Sequence, residues 1–248
     1  MNKNIEKAFK SLERLESILL SIVIPAYNTP HLKRNLKKII SVLPKVAYEI
    51  IVVNDGSRRF PKNLDTLPGV KVVTHLSNKG KGQALRTGAA EAQGSIIFFF
   101  DSDLDIPAES IKPYYEIIRG NKDLDILIGS KRHAESKVVY PFTRRLMSYV
   151  YQRMIKFLFG LEILDSQVGI KAFRKDVLKS ILPFLKEEGF SIDIEILAIA
   201  SKKGYLIQEA PVKIKQRFSS TISFMAPLKM IFSTLKIWYR LKGGNDNG

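Results

Sequence analysis

Apolar residues in this chain come in short blocks of two kinds, unbroken β-branched or aromatic runs and runs at three- and four-residue spacing. Leu19–Pro25 is a run of the first kind, stopped by Pro25 and Asn28. His31–Leu43 has helical periodicity. Glu49–Val53 predicts a second buried strand, ended by Asn54-Asp55-Gly56-Ser57, and Val70–Thr74 a third. Gly82–Ala92 reads as a helix that starts on glycine-rich backbone. Ser95–Phe100 is a fourth strand, closed by Asp101-Ser102-Asp103. Pro107 suits the first position of a helix that runs to about Arg119, and Asp125–Gly129 is a fifth strand. Strands that alternate with helices predict an α/β, Rossmann-like, mostly parallel sheet with crossover helices. Beyond residue 130 the alternation loosens. Phe142–Phe159 and Ile192–Lys202 read as helices and Gln208–Ile214 as a strand, with no internal repeat.

Such sheets bind ligands beyond the carboxyl ends of their strands. The chemistry-bearing residues cluster at those ends. Asp101 and Asp103 stand two residues apart after an apolar strand, where two carboxylates can converge on one cation and one ribose; Asp105 adds a third. The same spacing also occurs in solvated turns. Asp55, at the end of the second strand, could accept hydrogen bonds from a nucleobase or a ribose, or close a plain Asx turn. Asn78-Lys79-Gly80-Lys81-Gly82-Gln83-Ala84 opens a helix, where backbone N–H groups and the helix dipole favour phosphate. Its spacing is not that of a Walker loop.

Composition narrows the partners. The 248 residues contain no cysteine, which excludes disulfides, thiolate metal sites and a thiol nucleophile. Any metal must sit on oxygen ligands, which suits Mg²⁺ or Mn²⁺. The net charge of +16 calls for an anionic partner. The excess is uneven: Lys131–Lys175 holds ten Lys/Arg against three acidic residues, and Pro211–Lys242 seven against none. No apolar stretch approaches the roughly 20 residues of a membrane span. Residues 1–18 read as an amphipathic helix with Ile5, Phe9, Leu12 and Leu15 on one side, without a secretory apolar core. In residues 219–248, Lys229, Lys236 and Arg240 accompany Met225, Phe232, Leu235 and Trp238, the pattern of an interfacial helix. The expectation is a cytoplasmic protein docked peripherally on the cytoplasmic face of an anionic membrane. Nucleic acid is not an expected partner: the chain has no RNP, zinc-finger or helix-turn-helix signature.

In this order on successive strands, the motifs resemble those of the family 2 glycosyltransferases, within them most those of dolichyl-phosphate glucosyltransferases and their polyprenyl-phosphate relatives. The resemblance runs from about Ser21 to Ser219. It rests on Val23–Asn28 (VIPAYN), Ile51–Ser57 (IVVNDGS), Asn78–Ala84 (NKGKGQA), Asp101–Asp105 (DSDLD), Gly129–Arg132 (GSKR), Asp165–Phe173 (DSQVGIKAF) and Ser191–Leu197 (SIDIEIL). The sequence departs from the family pattern at Val168, Ile214 and Ser219–Thr221.

The resemblance implies a GT-A fold over residues 19–218. It also implies an inverting, metal-dependent transfer of a hexose, favoured as glucose from UDP-glucose, to dolichyl or polyprenyl phosphate. By the same resemblance Pro25, Tyr27, Asn28, Asp55, Lys81, Gly82, Asp101 and Ser102 bind the donor, and Asp103 with Asp105 holds Mg²⁺ or Mn²⁺. Arg132, Arg144 and Ser148 take the acceptor phosphate; Arg144 and Ser148 lie one helical turn apart. Asp101, Asp103 and Asp165 form the catalytic set, with Asp165 expected to position Lys171 or a sugar hydroxyl. GDP-mannose as donor, or a saccharide hydroxyl as acceptor with Asp165 as its base, are the alternatives.

Overall fold

The computed structural model describes residues 20–136, 142–214 and 225–243, with side chains in the two long helices from 149 and 228 onward. The expected helix at residues 1–18 lies outside the described residues. Strands β1 (Leu20–Ala26), β2 (Tyr48–Asp55), β3 (Val70–His75), β4 (Ile96–Phe100), β5 (Ile126–Ser130), β6 (Ile170–Arg174) and β7 (Ile207–Pro211) form one sheet in the order β3-β2-β1-β4-β6-β5-β7. Helices α1 (Leu32–Val42), α2 (Lys81–Glu91), α3 (Ile111–Gly120), α4 (Phe142–Phe159), α5 (Lys175–Ile181), α6 (Ile192–Lys202) and α7 (Met225–Gly243) accompany it.

Strand alternation splits the core into two layers. Ile22 and Ile24 of β1, Ile50 and Val52 of β2, and Phe98 and Phe100 of β4 pack on one face with α1 and α3. Val23, Ile51, Val53, Ile97 and Phe99 pack on the other with α2, α5 and α6. Both faces are covered, so the parallel strands read as unbroken apolar runs instead of alternating ones.

Two expectations are corrected. β6 is an unforeseen strand. It runs antiparallel to both β4 and β5, with Phe100 opposite Ile170 and Phe99 opposite Lys171. The start of β6 therefore lies beside the carboxyl end of β4. Pro107 does not open the third helix. Its ψ of 136° is extended, a 3₁₀ turn at Ala108–Ser110 follows, and α3 begins at Ile111.

The amphipathic reading of α7 needs one change. Thr234 and Ile237 face inward and are fully buried, and Tyr151 of α4 shares a hydrogen bond with the Thr234 hydroxyl. Burial pushes the Tyr151 phenol up to about 12, with Asp193 and Glu187 adding to the rise against the Thr234 bond. Leu228, Phe232, Leu235 and Tyr239 form an exposed stripe at helical spacing, with Lys229 and Lys236 beside them. Arg240 does not join that stripe. It turns inward and pairs with the fully buried Glu195 of α6, because a buried carboxylate demands a partner.

Candidate active site

The ends of β1, β2 and β4 and the start of β6 bound one site. Beyond β1, Asn28 adopts a left-handed φ of 48°. Its N–H donates to Ser57 Oγ (2.9 Å), and its side-chain oxygen accepts the Arg58 N–H (3.1 Å). That ties the loop after β1 to the loop after β2. Pro25 stays inside β1 opposite Val53, and Tyr27 is exposed at the rim.

Asp55 is buried, and the chain satisfies it completely. His75 Nδ1 (2.7 Å) and the Lys79 N–H (2.9 Å) reach one oxygen; Asn78 Nδ2 (2.9 Å) and the Gly80 N–H (2.8 Å) reach the other. A carboxylate offers about four lone-pair sites. Asp55 here organises the wall of the site and presents no open acceptor to a base.

The glycine–lysine loop also differs from a phosphate cradle. The Gly82 and Gln83 N–H groups, at the start of α2, both donate to the Glu188 carbonyl (2.7 and 3.3 Å). A Cβ on Gly80 would stand 2.3 Å from that oxygen and one on Gly82 2.4 Å from the Glu187 carbonyl, so the glycines serve the approach of the 186–189 segment. What the loop gives the site is Lys81. Its ammonium meets Asp101 Oδ1 at 2.7 Å.

Behind this pair stands a second one, whose acid, Asp193, had no role assigned from the sequence. Lys171 of β6 bonds Asp193 of α6 at 2.8 Å and donates to the Val168 carbonyl (2.7 Å). Both side chains are buried. Asp165 therefore does not position Lys171: that expectation is corrected, since Asp193 holds the ammonium. The available signal was two carboxylates, Asp193 and Glu195, inside an otherwise apolar helix, where unpaired acids are costly.

Burial opposes the charged form of both Lys81 and Asp101, and their attraction outweighs it. The Lys81 ammonium is held above the usual lysine range, with help from Asp193; the Asp101 carboxyl is held below its usual range, with help from Lys171. Lys81, Leu85, Phe99, Asp101, Gly169 and Asp193 line the resulting small pocket.

Ser102 is tied down by Thr29 Oγ1 (2.9 Å), and its carbonyl accepts Asn35 Nδ2 (2.9 Å). Leu104 is buried at φ 60°, so the chain turns between Asp103 and Asp105, and the Asp105 N–H donates to Asp103 Oδ1 (3.0 Å). Desolvation, with the charges of Asp101 and Asp105, pushes the Asp103 carboxyl above its usual range. Among the described residues no three carboxylate or imidazole side chains gather closely enough to hold an ion. The turn thus keeps Asp105 beside Asp103, its backbone N–H on the Asp103 carboxylate. The donor set still suits a hard cation of the Mg²⁺ type, which takes one or two carboxylates plus substrate phosphates and water.

On the far side, Asp165 accepts the Lys131 (3.3 Å) and Gln167 (3.2 Å) N–H groups, and its own N–H donates to Glu209 (2.9 Å). Arg132 donates to Gln152 of α4 (2.7 Å). Arg144 and Ser148 occupy α4 two turns and one turn before Gln152, and what was expected of their side chains lies outside the described residues.

Known proteins resemble this chain in sequence and in fold. The glycosyl transferase family 2 profile matches residues 21–182. The dolichyl-phosphate beta-glucosyltransferase of Drosophila melanogaster is 26% identical over 94% of this chain and 78% of its own length. That of Saccharomyces cerevisiae is 29% identical over 79% of this chain and 67% of its own. Glucosyl-3-phosphoglycerate synthase of Mycobacterium tuberculosis, crystallised with UDP, superposes with a TM-score of 0.71 at 19% identity, covering 95% of this chain and 84% of that one. At that identity the likeness speaks for the fold, which is GT-A. With a profile match that runs from β1 past the end of α5, this chain belongs to glycosyl transferase family 2 and is a glycosyltransferase.

Proposed function

We propose that the enzyme transfers glucose from UDP-glucose to dolichyl or polyprenyl phosphate with inversion at the anomeric carbon. The observation that carries this reading is that Lys81–Asp101, Asp103 and the Arg132–Gln152 contact lie at the same end of the sheet, beyond the carboxyl ends of β4 and β5. The names of the Drosophila and yeast relatives supply the acceptor and the sugar.

An acceptor phosphate oxygen attacks the anomeric carbon, and the bond from that carbon to the diphosphate breaks with its electron pair leaving on UDP. The phosphate is already ionised at neutral pH, so no base removes a proton. Arg132, with Arg144 and Ser148, binds the incoming phosphate; arginine's fork suits its oxygens. Lys81 faces the donor side, where its retained positive charge favours a diphosphate. Asp55 keeps the Asn78–Gly80 wall in place, while Pro25, Tyr27, Asn28, Gly82 and Ser102 shape the nucleotide's surroundings. Asp103, with Asp105 beside it, would hold Mg²⁺ or Mn²⁺, which supplies charge neutralisation to the departing diphosphate. Solved complexes of the mycobacterial synthase contain Mn²⁺ or Mg²⁺ with UDP. Asp165, fixed by two backbone donors, shapes the sugar side.

The donor is tested by thermal shift. UDP with Mg²⁺, at 100 times its Kd, is expected to stabilise the fold by about 2.7 kcal/mol and so raise Tm. A shift from GDP and none from UDP would overturn the glucosyl assignment and favour mannose. Labelled UDP-glucose with membrane lipid extract then reads the product directly.

The acceptor lives in a membrane, and the outer stripe of α7 fits the cytoplasmic-face docking proposed here. α4 packs against α7 and adds exposed Tyr149, Val150 and Phe157. No helix among the described residues is long and apolar enough to cross a bilayer. Each Lys near an anionic leaflet contributes about 1 kcal/mol, so the Lys229→Glu/Lys236→Glu variant should sediment with anionic vesicles at least about 30-fold more weakly. Wild-type sedimentation should fall as salt rises. Equal binding to neutral and anionic vesicles would remove the electrostatic argument.

A further inference from the structure

The buried Glu195 joins parts of the molecule that the transfer chemistry does not otherwise connect. It sits on α6, fully enclosed, and its two oxygens accept four contacts. The Lys186 N–H reaches both oxygens at 3.0 Å, and the Glu187 N–H reaches Oε2 at 2.7 Å. Arg240, from α7, completes the set on Oε1. The two residues whose N–H groups it holds lead directly into Glu188. The Glu188 carbonyl in turn receives the Gly82 and Gln83 N–H groups at the start of α2, next to Lys81.

We propose that the Arg240–Glu195 pair is a positioning device for the donor pocket, a reading that rests on the Lys81–Asp101 pocket being the donor site. The order of contacts is continuous: Arg240, Glu195, the 186–187 backbone, the Glu188 carbonyl, the first turn of α2, Lys81, Asp101. Each link is a hydrogen bond, an ion pair or the chain itself, and the glycines at 80 and 82 allow the 186–189 segment to lie directly on the loop. Arg240 is the one cation on this carboxylate among the described residues. Without it Glu195 would be a buried charge held by amides alone, and the 186–189 segment would lose the geometry that fixes the start of α2. The device acts on donor binding because its contacts end on Lys81 and Asp101.

The experiment compares Arg240→Ala, Arg240→Lys and Glu195→Gln with Lys202→Ala. Lys202 bonds the Leu241 carbonyl (3.0 Å), so its removal loosens the same pair of helices without touching residues 186–189. Nucleotide affinity is measured with whichever of UDP or GDP raises the wild-type Tm, below every variant's own melting temperature. Arg240→Ala and Glu195→Gln are expected to weaken that affinity and raise donor KM by about tenfold, with kcat at saturating donor within about twofold of wild type. Arg240→Lys should recover part of the affinity, and Lys202→Ala should lower Tm with KM unchanged. Wild-type affinity in both Arg240→Ala and Glu195→Gln, whatever their Tm, would overturn the proposal. A wild type that responds to GDP alone overturns the UDP assignment and leaves this test intact.

Discussion

Gly169→Ala is expected to lower transfer by at least about 100-fold, because a misplacement of about 1 Å at a reacting site costs that much. A Cβ on Gly169 would stand 2.2 Å from Asp101 Oδ2 and 2.6 Å from its Cγ. No side chain tolerates that approach. Gly169 also accepts the Asp101 N–H through its carbonyl at 3.0 Å, so β6 cannot retreat without releasing the end of β4. Either Asp101 rotates off Lys81, or the strands part. Overpacking of this kind costs about 1–3 kcal/mol of stability as well. Gly120→Ala, where an added methyl meets nothing within 4 Å, should leave both Tm and kcat near wild type. Steady-state kinetics with a melting curve separates the two effects. Full activity in Gly169→Ala would show that the Asp101 geometry is dispensable.

The other large effect belongs to Asp103. Asp103→Asn should cut transfer by about 1,000-fold or more, since charge neutralisation on the leaving group is worth several kcal/mol. Chelation of the wild type should do the same, and full activity in excess EDTA would sink the metal role. The stability effect has the opposite sign. The folded Asp103 carboxyl lies above its usual range, so its ionisation disfavours the fold as pH climbs past the ordinary aspartate value of about 3.9. That cost is present at neutral pH and vanishes in acid. Asp103→Asn should therefore melt no lower than wild type at pH 7, the change being small because the side chain reaches solvent. A marked fall in Tm would mean that Asp103 is structural.

The parallel half of the sheet was legible because each of its strands is an apolar run closed by a turn signal. β6 was not. Ile170–Arg174 is five residues long and carries Lys171 and Arg174, so it lacks the composition of a central strand. Its buried lysine is tolerable only beside Asp193, and residues that far apart in sequence carry no mark of their pairing. Asp101 and Asp103 stand where the strand-end rule places them. The glycine–lysine loop misled for a different reason. Its free-looking N–H groups are consumed by Asp55 and by a carbonyl of a distant segment, and backbone partners leave no trace in side-chain identity. Arg240 deceived likewise: its spacing matched an outward cationic face, and only the position of Glu195 turns it inward.

The placement of β6 has a consequence for synthesis. β4 lies beside β1 on one side and waits for β6 on the other. Its five residues, Ile96–Phe100, are all apolar and all buried once the sheet is complete. A ribosome that has released residue 136 has produced β1 to β5 but neither neighbour of β5 and only one neighbour of β4. Until residue 174 emerges, an aromatic strand keeps an open edge of unpaired N–H and C=O groups, the feature that seeds strand-on-strand association between nascent chains. The inserted antiparallel strand that brings Gly169 to Asp101 thus also makes this sheet late to close, and leaves its most sticky segment in need of shelter during translation.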